Sequence, residues 1–296
     1  MAAHDEIVVG IGEVLWDLLP GGKKLGGAPA NFAYHAAQCG YDSWVVSAIG
    51  KDAPGAEILE TFLNRKLNFI LEEVPWPTGT VGVELSADGV PVYDITRDVA
   101  WDHIPFTPRI EALALRTRAV CFGSLAQRSP VSRGTIASFL GAMPADDDRF
   151  RIFDINLRQN HYCRETLENS LSSCNVLKIN DEELITVSRL FGFPDMGTEE
   201  ICSSLLDKYR LKMLILTCGV NGSYVFTHSS VSFMPTPAVE VMDTVGAGDS
   251  FSAAFISSLL AGRGIEDAHK KAVDYSAYVC TQAGAMPFIP PDLLCC

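Results

Sequence analysis

Short apolar runs alternate along most of the chain with stretches whose apolar residues recur at helical spacing. Residues 7–11 form an apolar run ending in glycine, the pattern of a buried strand. Gly26-Gly27-Ala28-Pro29 then opens a helix, with proline in the first turn, where its missing N–H is no loss. Phe32, Ala33, Ala36 and Ala37 follow at helical spacing, and Gly40 closes the element. Residues 44–49 read as the next strand and 56–67 as the next helix. From residue 119 onward strands are expected at 119–123, 151–155, 176–179 and 213–216, a hairpin at 224–226 and 231–233, and helices to the end.

Residues 70–100 break the alternation. Thr80-Val81-Gly82-Val83-Glu84-Leu85 and Val90-Pro91-Val92-Tyr93-Asp94-Ile95 flank Asp88-Gly89, a dipeptide that favours a tight hairpin turn. A hairpin has no place in a βαβ series, so this one is expected outside the main sheet. The pattern predicts an α/β chain. It is read as one three-layer αβα domain over residues 1–296, with a mainly parallel central sheet and a small β lid formed mainly by about 75–100, with 13–25 as a second contributor.

A chain of 296 residues with 48% hydrophobic content has enough apolar material for one large core. Its formal charge of −13 disfavours nucleic acid or an anionic membrane as partner. The nine cysteines are scattered without a CxxC pair, which argues against zinc or thioredoxin-like sites and fits incidental thiols in a reducing compartment. The first residues lack a basic segment followed by a long apolar one, and no run approaches the ~18 apolar residues of a membrane span, so a cytoplasmic location is expected.

Near the C-terminal end, Asp243-Thr244-Val245-Gly246-Ala247-Gly248-Asp249 leads into an apolar, helix-patterned run. Backbone N–H groups of Gly246, Ala247 and Gly248 at a helix start would form an anion hole, glycine allowing close approach. Asp249 stands at its mouth, placed to take a proton from an attacking hydroxyl. The competing reading is a helix cap, a role that Asp249 and Ser250 suit equally.

This segment resembles the second signature of the PfkB-type carbohydrate kinases, the ribokinase superfamily. Gly26-Gly27-Ala28-Pro29-Ala30-Asn31 resembles the first signature. Asn180-Asp181-Glu182-Glu183 resembles the Asn-x-x-Glu element, and Thr217-Cys218-Gly219-Val220-Asn221-Gly222 the Thr-x-Gly-x-x-Gly nucleotide loop. All four stand in family order across residues 26–249. The resemblance implies transfer of the γ-phosphate of ATP to a sugar hydroxyl, with Asp249 as base and the Gly246, Ala247 and Gly248 amides stabilising the transferring group.

It further implies nucleotide contacts at Thr217, Gly219 and Gly222, although Asn221-Gly222 is also an ordinary turn dipeptide. It places Mg2+ near Asn180 and Glu183, acting through water, where Glu183 read alone is a helix-start acid. Asp17, otherwise a loop acid, would cradle the sugar with Gly26, Gly27 and Asn31. Arg97 would reach over it, the alternative being an exposed edge-strand arginine. In many relatives a monovalent cation is held where Asp243, Val245, Ala283 and Gly284 stand here, and the sequence leaves open whether that ion is K+ or absent.

Phe153-Asp154-Ile155-Asn156-Leu157-Arg158 resembles fructokinases and 2-keto-3-deoxygluconate kinases, which assigns Asn156 and Arg158 to the substrate. Arg158 would meet a substrate carboxylate or help hold phosphate. With Gly12-Glu13 the likeness leans to fructokinase, hence D-fructose phosphorylated at O6. The alternatives are 2-keto-3-deoxygluconate or another sugar, or a non-catalytic sugar-binding protein. An exposed hairpin edge also offers a route to a homodimer. Two other nucleotide patterns fail. Leu15 stands where GxGxxG needs its third glycine after Gly10 and Gly12, and Gly22-Lys23-Lys24 lacks the Ser/Thr of a Walker loop.

Overall fold

The computed structural model describes residues 4–19, 21–85, 91–193 and 196–294. Its strands are β1 (His4–Ile11), β2 (Leu15–Leu19), β3 (Gly22–Gly26), β4 (Tyr41–Gly50), β5 (Asn68–Val74), β6 (Gly79–Leu85), β7 (Pro91–Ile95), β8 (Thr117–Phe122), β9 (Phe150–Asp154), β10 (Val176–Asn180), β11 (Met213–Thr217), β12 (Ser223–Phe226) and β13 (Val231–Met234). The helices are α1 (Ala28–Gln38), α2 (Ala53–Asn64), α3 (Pro108–Ala114), α4 (Pro130–Ala142), α5 (Arg164–Ser173), α6 (Asp181–Phe191), α7 (Thr198–Tyr209), α8 (Ala247–Leu260) and α9 (Ile265–Cys280).

Nine strands form one sheet in the order β13-β12-β11-β10-β9-β8-β1-β4-β5, parallel except at β12 and β13. Successive side chains leave a strand on opposite faces, so each buried strand feeds two cores. Ile7, Val9 and Ile11 pack with Leu113, Phe139, Leu171 and Leu205 of α3, α4, α5 and α7. On the other face Val8 packs with Phe32 of α1 and with Phe251 and Phe255 of α8, and Val45 with Phe62 of α2. This is the expected three-layer αβα arrangement.

The hairpin expected outside the main sheet does lie outside it, as β6 and β7. These pair with β2 and β3 in a separate four-stranded sheet of order β3-β2-β6-β7. The Asp88-Gly89 turn lies outside the described residues, as do Cys295 and Cys296. The seven described cysteines form no disulfide, and Cys163 is exposed. Among the described residues no helix is long and apolar enough to cross a membrane.

Strand ends shift by a few residues, and two larger differences from the sequence reading have a physical cause. The second helix begins at Ala53 because the Asp52 carboxylate accepts the Gly55 N–H at 2.9 Å, a cap reinforced by Pro54 in the first turn. Residues 68–74, which run into the stretch read as the break, form the edge strand β5, parallel to β4. Its Glu72 and Glu73 hide the apolar signal, as acidic residues on an edge strand do.

The sheet order fixes where a ligand can enter. From β1 the chain moves to β4 on one side, whereas β8 leads on to β9 on the other. At such a reversal the loops beyond the strand ends splay apart and leave a crevice. Gly12 and Glu13 follow β1 directly and stand at that crevice.

Candidate active site

α8 begins at Ala247, and its N-cap is Gly246 in the left-handed region at φ 79°, without a side-chain cap. Glycine takes that conformation at no steric cost, which turns the chain sharply into the helix. Asp249 therefore sits in the first turn and does not cap the helix. Its Oδ2 accepts a hydrogen bond from Asn31 Nδ2 at 2.8 Å. The Ala247 N–H is engaged by the Thr244 carbonyl at 3.3 Å. Burial pushes the Asp249 carboxyl up to about 6, and Asp154 adds to the rise, while Asn31, Lys178 and Arg158 oppose it.

Beneath the helix start lies a buried ion pair for which the sequence reading had no role. Lys178 Nζ is 3.2 Å from Asp154 Oδ1, and a Cβ at Gly248 would come within 2.7 Å of that ammonium. Burial works against the Lys178 charge, but Asp154, Glu183 and Asp249 more than offset it and hold its pKa above the ordinary value. The signal was a single charged residue inside the apolar run Val176-Leu177-Lys178-Ile179.

Glu13 is a second residue whose part was missed. Its carboxyl is buried, Oε2 has no partner, and burial together with the nearby Asp249 raises it to about 7. The positive charge of Arg158 acts on Glu13, Asp17 and Asp249 alike, opposing the rise that burial imposes on each carboxyl. Gly26 pairs with Leu15 across β2 and β3, and the Asp17 side chain reaches over diagonally, so that a Cβ at Gly26 would fall 2.4 Å from Asp17 Oδ2. Burial raises the Asp17 carboxyl, with Arg158 and Lys24 pulling the other way. Gly27 is the N-cap of α1, and a side chain there would strike the Glu13 carbonyl. The first signature thus brings Asp17, Gly26, Gly27 and Asn31 to the same crevice as Asp249.

Asn180 and Glu183 form a capping box at α6: the Asn180 side chain accepts the Glu183 N–H at 2.8 Å, and Glu183 Oε2 accepts the Asn180 N–H at 2.9 Å. Glu183 Oε1 also accepts the Leu157 N–H at 2.8 Å, which pins the loop carrying Asn156 and Arg158. Asn156 has a positive φ of 40° in that loop. Thr217 ends β11, and a single turn, Gly219–Asn221, leads through Gly222 into β12, so the expected nucleotide loop is also the hairpin connection.

Asp243 gathers three groups. Oδ1 accepts the Val245 N–H at 3.0 Å, while Oδ2 accepts the Gly284 N–H and Lys24 Nζ, each at 3.0 Å. Burial alone would raise this carboxyl, but those partners hold it below its ordinary value. Ala283 precedes Gly284 in the same turn. Arg97 is exposed just beyond β7, on the wall of a cavity of about 490 Å3 that it shares with Arg128. Among the described residues no cluster of three or more His, Cys, Asp or Glu side chains could hold a metal ion.

Residues 21–292 match the model of the pfkB family carbohydrate kinases. The chain belongs to that family. The carbohydrate kinase is 28% identical to a fructokinase of Klebsiella pneumoniae over 87% of this chain and 85% of the relative. It is 27% identical to an ATP-dependent 6-phosphofructokinase of Thermoanaerobacterium thermosaccharolyticum over 90% of this chain and 82% of the relative. A crystal structure of fructokinase from Vibrio cholerae O395, in fructose, ADP and calcium ion bound form, superposes with a TM-score of 0.79 at 22% identity, covering 97% of this chain and 96% of that one. That likeness is one of fold. The kinase is a phosphotransferase acting on carbohydrate.

Proposed function

We propose that this kinase phosphorylates a small ketose, D-fructose at O6 being the leading candidate. The observation that carries the chemistry is Asp249 in the first turn of α8, its carboxylate held by Asn31 beside the helix start at Gly246 and Gly248, the Ala247 amide being engaged by Thr244. The acceptor hydroxyl attacks the γ-phosphorus as its proton passes to Asp249. The bond from that phosphorus to the β,γ-bridging oxygen breaks, and ADP leaves. A carboxyl near 6 is mostly ionised at neutral pH, and so is ready to accept a proton.

The remaining roles follow the geometry. Asp17 and Arg158, with Gly26, Gly27 and Asn31, read the acceptor hydroxyls, and Asn156 shapes the loop beside them. The helix start and Lys178 stabilise charge on the transferring phosphoryl group. Thr217, Gly219 and Gly222 contact the nucleotide. Mg2+ would neutralise phosphate charge when bound, with Asn180 and Glu183 nearby and acting through water. The turn of Asp243, Val245, Ala283 and Gly284 is the place for K+, although Lys24 already puts one positive charge on Asp243.

The smaller sheet serves as the lid, and its edge strands offer a surface for a homodimer. A cytoplasmic location fits the many free thiols. ADP release measured with ATP, Mg2+ and a panel of fructose, ribose, tagatose and 2-keto-3-deoxygluconate tests the assignment. Fructose should give the highest kcat/KM among these four, and turnover of none would defeat the kinase role.

A further inference from the structure

His35 takes no part in the chemistry assigned to Asp249, yet it is wired to the same helix start. It lies on α1 one turn after Asn31, and residues four apart share a helix face. The side chain is fully buried. Nδ1 is 3.0 Å from the Tyr275 hydroxyl of α9, and Nε2 is 2.8 Å from the Ala285 carbonyl oxygen. Burial pushes the imidazole down to about 4, the bond to Ala285 offsetting only part of that fall, so the ring is neutral at neutral pH. A neutral ring has a single N–H, and a carbonyl can only accept. The proton therefore sits on Nε2, and Nδ1 accepts from Tyr275.

Ala285 begins a stretch without helix or strand whose carbonyls are held one after another. The Met286 carbonyl accepts from Arg65 Nη1 at 2.8 Å, and the Pro287 carbonyl from the Tyr34 hydroxyl at 3.1 Å. Three consecutive carbonyls thus take side-chain donors, two of them from α1. On its other side Ala285 packs against the turn into α8. A Cβ at Gly246 would lie 2.7 Å from Ala285 Cβ and 3.0 Å from its carbonyl oxygen, the same oxygen that His35 holds. α1 therefore grips the start of α8 twice, at Asp249 through Asn31 and at Gly246 through His35 and Ala285.

We propose that His35 is a positioning residue for phosphoryl transfer: it fixes the Ala285 carbonyl, which seats residue 285 against Gly246 and so sets the turn that opens α8. The inference rests on the kinase reading and adds a residue to it. The left-handed turn at Gly246 aims the amides of the helix start, and such donors stabilise a transferring phosphoryl group only when held in place beforehand. His35 lies too deep to meet a substrate, so its effect should fall on turnover and spare acceptor binding.

His35→Leu keeps apolar volume and removes the donor. Its kcat per folded molecule should fall about tenfold, with the acceptor dissociation constant unchanged within about twofold. The Gly246 and Gly248 amide resonances should shift in the same variant. His35→Gln, whose amide offers one donor group and one acceptor, should recover most of the lost rate. Because His35→Leu leaves the Tyr275 hydroxyl and the Ala285 carbonyl unpaired, Tyr275→Phe carries the test if that variant fails to fold. There the tautomer is no longer fixed, and kcat should fall with the same amide shifts. In the parent, ring nitrogen resonances should place the proton on Nε2. Parent-like kcat in the folded variant, unmoved Gly246 and Gly248 amides, or an equal loss in acceptor binding would overturn the proposal. So would a ring protonated on Nδ1, or a His35→Gln variant as slow as His35→Leu. The expected amide shifts in a protein that turns over no sugar would keep the seating of Gly246 and remove the kinase role.

Discussion

Asn31 Nδ2 donates to Asp249 Oδ2 at 2.8 Å, joining the start of α1 to the start of α8 across 218 positions of sequence. The bond favours the ionised carboxylate, opposing the burial that raises the group to about 6. Asn31→Ala should therefore move the acid limb of the kcat profile to higher pH, with a larger loss of rate at pH 6 than at pH 8. An unshifted limb in the variant would separate Asn31 from the titration of Asp249.

Asp249→Asn should lower kcat by about two to four orders of magnitude and leave the acceptor dissociation constant largely intact. Stability should move the other way. The folded pKa, about 6, exceeds the unfolded value of 3.8, so the folded protein holds a proton that the unfolded chain has lost between those values. Stability therefore falls as pH rises through that window, and the penalty is complete above it. The variant should melt higher than the parent at pH 8 and show a smaller difference at pH 4, as read by thermal denaturation. A variant melting below the parent at pH 8 would contradict the strain assigned to this carboxyl.

Lys178→Met leaves Asp154 buried without its partner and should cost about 3–5 kcal/mol of stability in denaturant titration. Adding Asp154→Leu should restore most of that loss, because an apolar pair of similar volume replaces the ions. Turnover should stay low in the double variant, since the ammonium beneath Gly248 is gone. Recovery of rate together with stability would make the pair structural only.

The alternation of apolar strands and amphipathic helices was enough to place the main sheet, and two broken alternations around Asp88-Gly89 were enough to exclude a hairpin from it. Edge strand β5 escaped because Glu72, which accepts a hydrogen bond from Thr107, and the exposed Glu73 interrupt its apolar run. At the crevice, Asp249 and Asn31 stood in short segments rich in glycine, whose backbone demands leave a mark in one dimension, whereas Asp17 was singled out by resemblance alone. Glu13 and Lys178 could not be given roles, because what makes them unusual is the company of Asp249, Arg158 and Asp154, brought in by folding from far along the chain. Asn180 and Glu183 illustrate a different limit: one pattern serves both as a helix cap and as a metal-linked motif, and the hydrogen bonds seen here account for the first.

Lys24, 46% exposed at its side chain, bonds Asp243 from the smaller sheet. A partly exposed pair of this kind contributes at most about 1 kcal/mol, so it latches the sheet without locking it. Acceptor sugar should slow amide hydrogen exchange in β2, β3 and β6, and Lys24→Ala should diminish that protection. Exchange unchanged at saturating sugar would count against closure of the sheet over the acceptor.

β2 and β3 pair Asp17 with Lys24 as opposite members of one rung. On the proposed function the first would meet the acceptor, while the second bonds Asp243 in the turn that leads to α8. Where closure displaces that rung, both ends should move together, so that the affinity for one substrate should depend on the other. Reciprocity then requires the two enhancement factors to be equal, whichever substrate binds first.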